Sequence, residues 1–141
     1  MRTPVHLWIV GILSLIWNAG GAFDYVAVQF GITAYTDQMT ESQLAFFDDL
    51  PWWYVSAWAV GVWLSVAGSL LLLLRSRLAG PAFVLSLLGL LVASVYSFII
   101  LDSSPMRDAG AGALAFTAAI YVVLVLLIVY ARAMTRRGVL R

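Results

Sequence analysis

The sequence predicts an all-helical membrane protein, a single integral membrane domain of four transmembrane helices in an up-down-up-down bundle. Composition is the first reason, because 63% of the 141 residues are hydrophobic and 11% are charged, with a mean hydropathy of +0.97. A soluble core of this size has no room for so much apolar surface, so the bilayer must act as the solvent. The other two reasons are four apolar runs of membrane-spanning length and a segregation of charge between the segments that connect them.

Each apolar run is long enough to cross the hydrocarbon core, which takes about 20 residues at about 1.5 Å each. We place the spans at residues 5–28, 52–74, 81–101 and 110–131. The connections after the second and third spans are short, which makes consecutive spans antiparallel neighbours.

A cleaved secretory signal peptide is the alternative interpretation of the first run. Arg2, the apolar stretch after it and the small residues at 19–22 follow the order of signal-peptide regions. Trp17 and Asn18 fit poorly beside a cleavage site, and apolar character resumes over residues 26–30. We therefore predict that the first run is retained as a span.

Basic and acidic residues lie in alternate connecting segments. Seven of the eight arginines precede the first span, separate the second from the third, or follow the fourth, while the acids occupy the other two connections and the far end of span one. Because basic segments are retained in the cytoplasm, both termini are expected to be cytoplasmic and both acidic loops to be outside. The arginines form a fringe along the membrane rather than a continuous groove, so no nucleic-acid role is expected.

The first outer loop is predicted to contain a short amphipathic helix. Thr40 and Gln43 form a capping-box pattern, and residues 44–50 then divide into an apolar side and an acidic side. The aromatic residues 52–54 follow at headgroup level. Anchoring is the simplest role for this loop, and a lid over an outward-facing pocket is the alternative.

Span one is predicted to turn a polar face into the bundle. At 100° per residue, Asn18, Gly21 and Tyr25 lie within about 60° of one another, and Trp17 and Asp24 extend this arc to about 120°. A carboxylate within a span usually faces the bundle or a watery cavity and has a partner. The sequence therefore predicts a polar site on this arc.

The expected partner of Asp24 is Arg107, the only basic residue of the outer segments. Asp102 competes for Arg107 and is itself placed at the negative end of a helix dipole. Together with Tyr25 and Tyr96 these residues predict an outer binding cluster. An ion pair that ties span one to the third loop is the alternative.

Trp17 and Trp58 lie deep in their spans, where an indole N–H needs an acceptor. Their rings are expected to point toward Asn18, toward serines or into a cavity, and simple packing is the alternative. The complete set of predicted binding residues is Asn18, Asp24, Tyr25, Trp17, Trp58, Tyr96, Asp102 and Arg107.

Small residues recur at helical spacing along every span and predict close contacts between helices, as is usual in lipid. The predicted stripes are Gly11, Ser14, Asn18 and Gly21; Ala57, Gly61, Ser65 and Gly68; Ala82, Ser86, Gly89 and Ala93; and Ala111, Ala115 and Ala119.

Several kinds of chemistry are not expected. Cysteine is absent, and the one histidine, His6, lies at the end of a span, which disfavours thiolate chemistry and haem ligation. No HExxH, catalytic triad, paired carboxylates or glycine-rich phosphate loop is present, so we predict no enzyme site, cofactor or metal. Ser14 and Asn18 occupy the zone of span one where a small multidrug exporter needs a glutamate, which disfavours proton-coupled antiport.

Residues 15–25 (LIWNAGGAFDY), Pro51-Trp52, Trp58-Ala59 and a leucine run that ends at Arg75 resemble a group of small four-span bacterial inner-membrane proteins. The resemblance covers the whole chain, and some members of that group carry the label "sugar transporter". It implies a multi-pass protein of the bacterial inner membrane.

Two functions from different classes are predicted. In the first, the bundle self-associates and binds or passes a small polar or sugar-like solute through an outward-facing pocket. In the alternative, the chain is a non-catalytic accessory or assembly subunit that docks its small-residue stripes onto a larger membrane complex.

Overall fold

The computed structural model describes residues 3–33, 37, 41, 51–96 and 111–141, without the side chains of 111–114. This part of the chain contains four helices, α1 (Val5–Gln29), α2 (Trp52–Leu73), α3 (Ala79–Val95) and α4 (Ala111–Arg136). Three of them, α1, α2 and α4, are long and apolar enough to cross a membrane, whereas α3 is shorter. The predicted amphipathic helix of the first loop, apart from Glu41, and the end of the predicted third span lie outside the described residues.

Two helix boundaries within the described residues differ by more than one residue from the predicted spans. α3 begins at Ala79, two residues before Pro81, because a proline in the first turn lacks only an N–H that would be unbonded there anyway. α4 continues past Ala131 to Arg136, since a helix need not stop where its apolar side chains stop. Long arginine side chains allow this by extending their charged ends toward the headgroups.

Neighbouring helices run antiparallel, as predicted. In each adjacent pair of helices, positions advance along one helix as they go back along the other. The contacting pairs are Ser14 with Ser69 and Asn18 with Ser65 between α1 and α2, Gly68 with Phe83 and Gly61 with Leu90 between α2 and α3, and Gly80 with Ala131 and Leu90 with Tyr121 between α3 and α4. The four helices therefore form an up-down-up-down bundle.

Three segments, two of which carry described arginines, meet at one end of this bundle. The Arg77 N–H donates to the Arg141 carbonyl (3.0 Å), and the Arg141 N–H donates to the Arg75 carbonyl (2.9 Å). Arg75 Nη1 donates to Thr3 Oγ1 (2.8 Å). These bonds tie together the start of α1, the α2–α3 turn and the segment after α4, and we call this the arginine end.

The half of the bundle next to the arginine end is filled by apolar side chains from all four helices. Its buried members are Leu7, Leu72, Ala79, Phe83, Leu124, Leu127, Ala131, Met134, Val139 and Leu140. Partly buried neighbours such as Leu90 and Val123 pack against them. This apolar core closes one half of the bundle and leaves the other half for the polar residues.

Small residues bring α2 and α3 into close contact. A Cβ atom on Gly89 would lie 2.7 Å from the Ala57 carbonyl oxygen and 3.0 Å from the Gly61 nitrogen. Ser86 Oγ donates to the Gly61 carbonyl (2.5 Å), which adds a polar contact between the same two helices. The predicted stripes of α2 and α3 therefore mark a real helix interface.

Over the described residues, the predicted stripe of α4 is not the most buried face of this helix. Ala115 is exposed and Ala119 is half-buried, whereas Leu124, Leu127, Ala131 and Met134 are buried. α4 therefore joins the apolar core mainly through these four side chains.

The α2–α3 contact generates a prediction about Gly89. Gly89→Ala is expected to destabilise the bundle by about 1–3 kcal/mol, because the new methyl group meets backbone atoms that have no room to move. Unfolding in mixed micelles, followed by loss of helical circular dichroism, measures the change. Gly20→Ala is the matched control, since its Cβ has nothing within 4 Å. Equal stability of the two variants would contradict the proposed close contact.

Candidate functional site

A directed series of hydrogen bonds joins α1 to α2 in the middle of the bundle. Asn18 Nδ2 donates to Ser69 Oγ (2.9 Å) and to the Ser65 carbonyl (3.1 Å). Ser69 Oγ lies 2.9 Å from Ser14 Oγ, and Ser14 Oγ donates to the Gly11 carbonyl (3.1 Å). Since the only hydroxyl hydrogen of Ser14 is used on Gly11, Ser69 must donate to Ser14. The series therefore runs from Asn18 toward the arginine end, and we call it the serine relay.

The orientation of the Asn18 amide follows from its partners. The Ser65 carbonyl can only accept a hydrogen bond, so the amide nitrogen must face it. The amide oxygen then points away from Ser65 and Ser69, and no residue in the described ranges donates to it.

This oxygen is presented to an internal cavity. Asn18 is only 8% exposed, yet within the described residues no fully buried side-chain oxygen lacks a partner. The unpartnered amide oxygen must therefore have accessible surface, and Asn18 lines the cavity between the helices. The Asn18 amide oxygen, a hydrogen-bond acceptor, thus faces this cavity near the middle of α1, at the fourteenth of its 25 residues.

The cavity has a volume of about 210 Å³ and is bounded by all four helices. At about 30 Å³ per molecule, this corresponds to about seven waters. The lining residues are Trp17, Asn18, Gly21 and Asp24 of α1, Trp58, Gly61, Val62 and Ser65 of α2, Leu90 of α3, and Phe116, Ile120 and Leu124 of α4. Leu124 belongs also to the apolar core, so the cavity begins where that core ends and extends away from the arginine end.

The contact between α1 and α4 borders the cavity on the lipid side. The ring centroids of Trp17 and Phe116 lie 5.7 Å apart, and both side chains are exposed at the surface of the bundle. Nearer the arginine end, His6 Nδ1 and the Tyr130 hydroxyl form a 2.6 Å hydrogen bond. This border is made of ring contacts, in contrast to the close packing and hydrogen bonds between α1 and α2.

Four of the eight predicted binding residues line the cavity: Trp17, Asn18, Asp24 and Trp58. Asp24 is half-buried there, six residues beyond Asn18 on α1. Six residues correspond to about 9 Å along a helix, so these two acceptors lie at different depths of one cavity.

Tyr25 and Tyr96 support the cavity wall instead of lining it. The Tyr25 ring lies edge-on to Trp58 with 4.9 Å between ring centroids. Tyr96 contacts Trp53 at 5.0 Å and Tyr54 at 5.1 Å, in an aromatic cluster against which Trp58 also packs. Trp58 therefore has an aromatic support on one side and the cavity on the other.

The remaining two predicted residues, Asp102 and Arg107, lie outside the described residues. The pairing of Asp24 with Arg107 therefore stays a prediction. Among the described residues, no group of three His, Asp or Glu side chains comes together in a way that could hold a metal ion.

Sequence reasoning missed two parts of the site. Ser69 follows a predicted small-residue stripe by one position and sits in a leucine run, yet its hydroxyl is the middle of the serine relay and is fully buried. A serine four residues after Ser65, on the same helical face, is the signal that could have found it. The walls made by Leu90 and Phe116 carry no polar signal and could not have been identified from sequence.

The geometry defines a class, a helical membrane bundle with an apolar core in one half and, in the other, a cavity whose mainly apolar wall includes Asn18, Asp24 and Ser65. Comparison of this chain with protein-family models, with curated proteins and with solved structures gives no match. The case for function therefore depends on the cavity itself.

The serine relay generates a prediction about Ser69. Ser69→Ala is expected to destabilise the bundle by about 1–2 kcal/mol, because it leaves an Asn18 N–H without its partner and removes the donor to Ser14. Unfolding in mixed micelles measures the loss. Ser56→Ala, at an exposed position of the same helix, is the matched control and is expected to change stability by less than about 0.5 kcal/mol. Indistinguishable stabilities would rule out the relay as a stabilising element.

Proposed function

We propose that this chain is a non-catalytic, multi-pass protein of the bacterial inner membrane that binds a small polar or sugar-like solute in the cavity. The observation that carries the proposal concerns the Asn18 amide oxygen, near the middle of α1. No described residue donates a hydrogen bond to this oxygen, and it faces the cavity. A polar group in hydrocarbon is costly unless something bonds to it. A solute or water that donates to Asn18 removes this cost.

The cavity walls favour a particular ligand chemistry. The rings of Trp17 and Trp58 offer flat apolar faces, while Asn18 and Asp24 offer acceptor oxygens. A small polyol or a single sugar ring has matching features, since its hydroxyls donate hydrogen bonds and its C–H faces pack on aromatic rings. The modest volume favours a small solute over a drug-sized one.

The proposed orientation follows from the charges. If the arginine end is cytoplasmic, as the excess of basic residues favours, the cavity lies in the outer half of the bundle and the apolar core closes the inner half. The bundle then corresponds to an outward-facing state. Passage across the membrane would require that core to open, which self-association with a second copy of the chain would assist.

Gly21 provides the test of solute binding. A Cβ on Gly21 lies 3.8 Å from Val62 Cγ1, which is ordinary contact, so Gly21→Val fills part of the cavity without a backbone clash. Gly20→Val adds the same side chain to the neighbouring position, which faces open space. Titration of the purified protein with small polyols and monosaccharides, followed by tryptophan fluorescence, should show saturable binding in the wild type and in Gly20→Val. We expect Gly21→Val to bind at least tenfold more weakly.

Two outcomes would count against this function. Absence of any saturable response in the wild type would remove the solute proposal, as would equal binding by both valine variants. Recovery from the native membrane only with a stoichiometric partner protein, and without solute binding, would favour the accessory or assembly subunit.

A further inference from the structure

A second recess lies at the arginine end, on the lipid-facing side between α3 and α4. It has a volume of about 660 Å³, an apolar floor that includes Pro81, Val84 and Leu85, and a rim that includes three arginines, Arg77, Arg132 and Arg136. Of the three α4 residues that line the cavity, Leu124 is the nearest in sequence to Arg132, which it precedes by eight residues, or about 12 Å along the helix. The recess is therefore separate from the proposed solute site.

Within the described part of the chain, no aspartate or glutamate accompanies the three rim arginines. Residues 51–96 and 111–141, which supply α2, α3 and α4, contain no aspartate or glutamate. The described acids, Asp24, Asp37 and Glu41, belong to the far end of α1 and the segment after it. Three exposed guanidinium groups thus share one rim, where they repel one another unless an external anion lies between them.

Two other polar side chains close to the recess are already engaged. Arg75 donates to Thr3, and the Thr135 hydroxyl, beside the recess, donates to the Ala131 carbonyl of its own helix. Arg77, Arg132 and Arg136 are therefore the donors that the recess offers to a ligand. Guanidinium groups suit phosphate oxygens because their planar N–H pairs match the spacing of those oxygens.

The shape of the recess adds an apolar requirement. From Arg77 the floor follows α3 through Pro81 to Leu85, which extends about 10 Å from the arginines into the membrane-spanning part of the bundle. Leu78 and Leu85 are more than half exposed along this path. A ligand that fits has an anionic head at the membrane surface and a hydrocarbon chain beneath it.

We propose that the recess between α3 and α4 is a binding site for an anionic phospholipid, with its phosphate on Arg77, Arg132 and Arg136 and an acyl chain along Pro81, Val84 and Leu85. Charge complementarity selects an anionic lipid over a zwitterionic one. The apolar floor selects a lipid over a free phosphate.

The test compares two double variants of the full-length chain in an uncharged detergent. Arg132→Gln with Arg136→Gln removes two rim charges, and Arg137→Gln with Arg141→Gln removes two charges from the same end but outside the recess. Native mass spectrometry with added phosphatidylglycerol, phosphatidylcholine or glycerol 3-phosphate measures binding. We expect the rim variant to bind phosphatidylglycerol roughly 25-fold more weakly than wild type, at about fivefold per arginine, and the control variant to stay within about threefold of wild type.

A third variant tests the acyl-chain path. Leu85→Trp places a larger side chain on the floor and is expected to weaken phosphatidylglycerol binding while leaving all the arginines in place. Equal losses in the two double variants would show general attraction by net charge and overturn the proposal. Binding of glycerol 3-phosphate as tightly as the lipid would also overturn it, because that result would identify a site for a free anion. Dimers in place of lipid adducts would overturn it as well, because they would identify a subunit interface.

Discussion

The hydrogen bonds of Asn18 are the interaction on which the rest of the structure depends. Both hydrogens of its amide nitrogen go to α2, one to Ser69 and one to the Ser65 carbonyl. In lipid, apolar contact alone gives little preference for one helix neighbour, so such bonds set the register of α1 against α2. The same arrangement turns the amide oxygen away from α2 and into the cavity. One side chain thereby fixes the packing and creates the site.

The serine relay, which begins at Asn18, separates two halves of the bundle that are filled differently. On the arginine side of the serine relay, large apolar side chains fill the interior, and backbone bonds between Arg75, Arg77 and Arg141 hold the segments together. On the other side, Gly21 leaves space at a position that lines the cavity, and Trp17 and Trp58 form part of the cavity wall. α4 completes the wall through Phe116, whose ring lies 5.7 Å from that of Trp17 between centroids.

Much of this architecture could be predicted from sequence, because it depends on local patterns. Apolar length and short connections predicted four antiparallel helices, and helical periodicity placed Trp17, Asn18 and Asp24 on one face. What lies opposite that face depends on packing between helices, so Ser69 and Phe116 were missed. Periodicity also put Tyr25 on the cavity arc, whereas its ring packs edge-on to Trp58. For α4, small residues indicated that close packing was possible, and the helix buries larger side chains instead.

Water contact at Asn18 tests the central claim, that the Asn18 amide oxygen faces a cavity at mid-bundle, most directly. Asn18 is the only asparagine of the chain, so selective ¹⁵N labelling gives a single side-chain amide signal. Water-edited solid-state NMR in lipid bilayers measures how fast magnetisation passes from water to that signal. We expect rapid transfer to the Asn18 side chain. Slow transfer would mean a dry, closed bundle and would contradict the cavity and the function proposed for it.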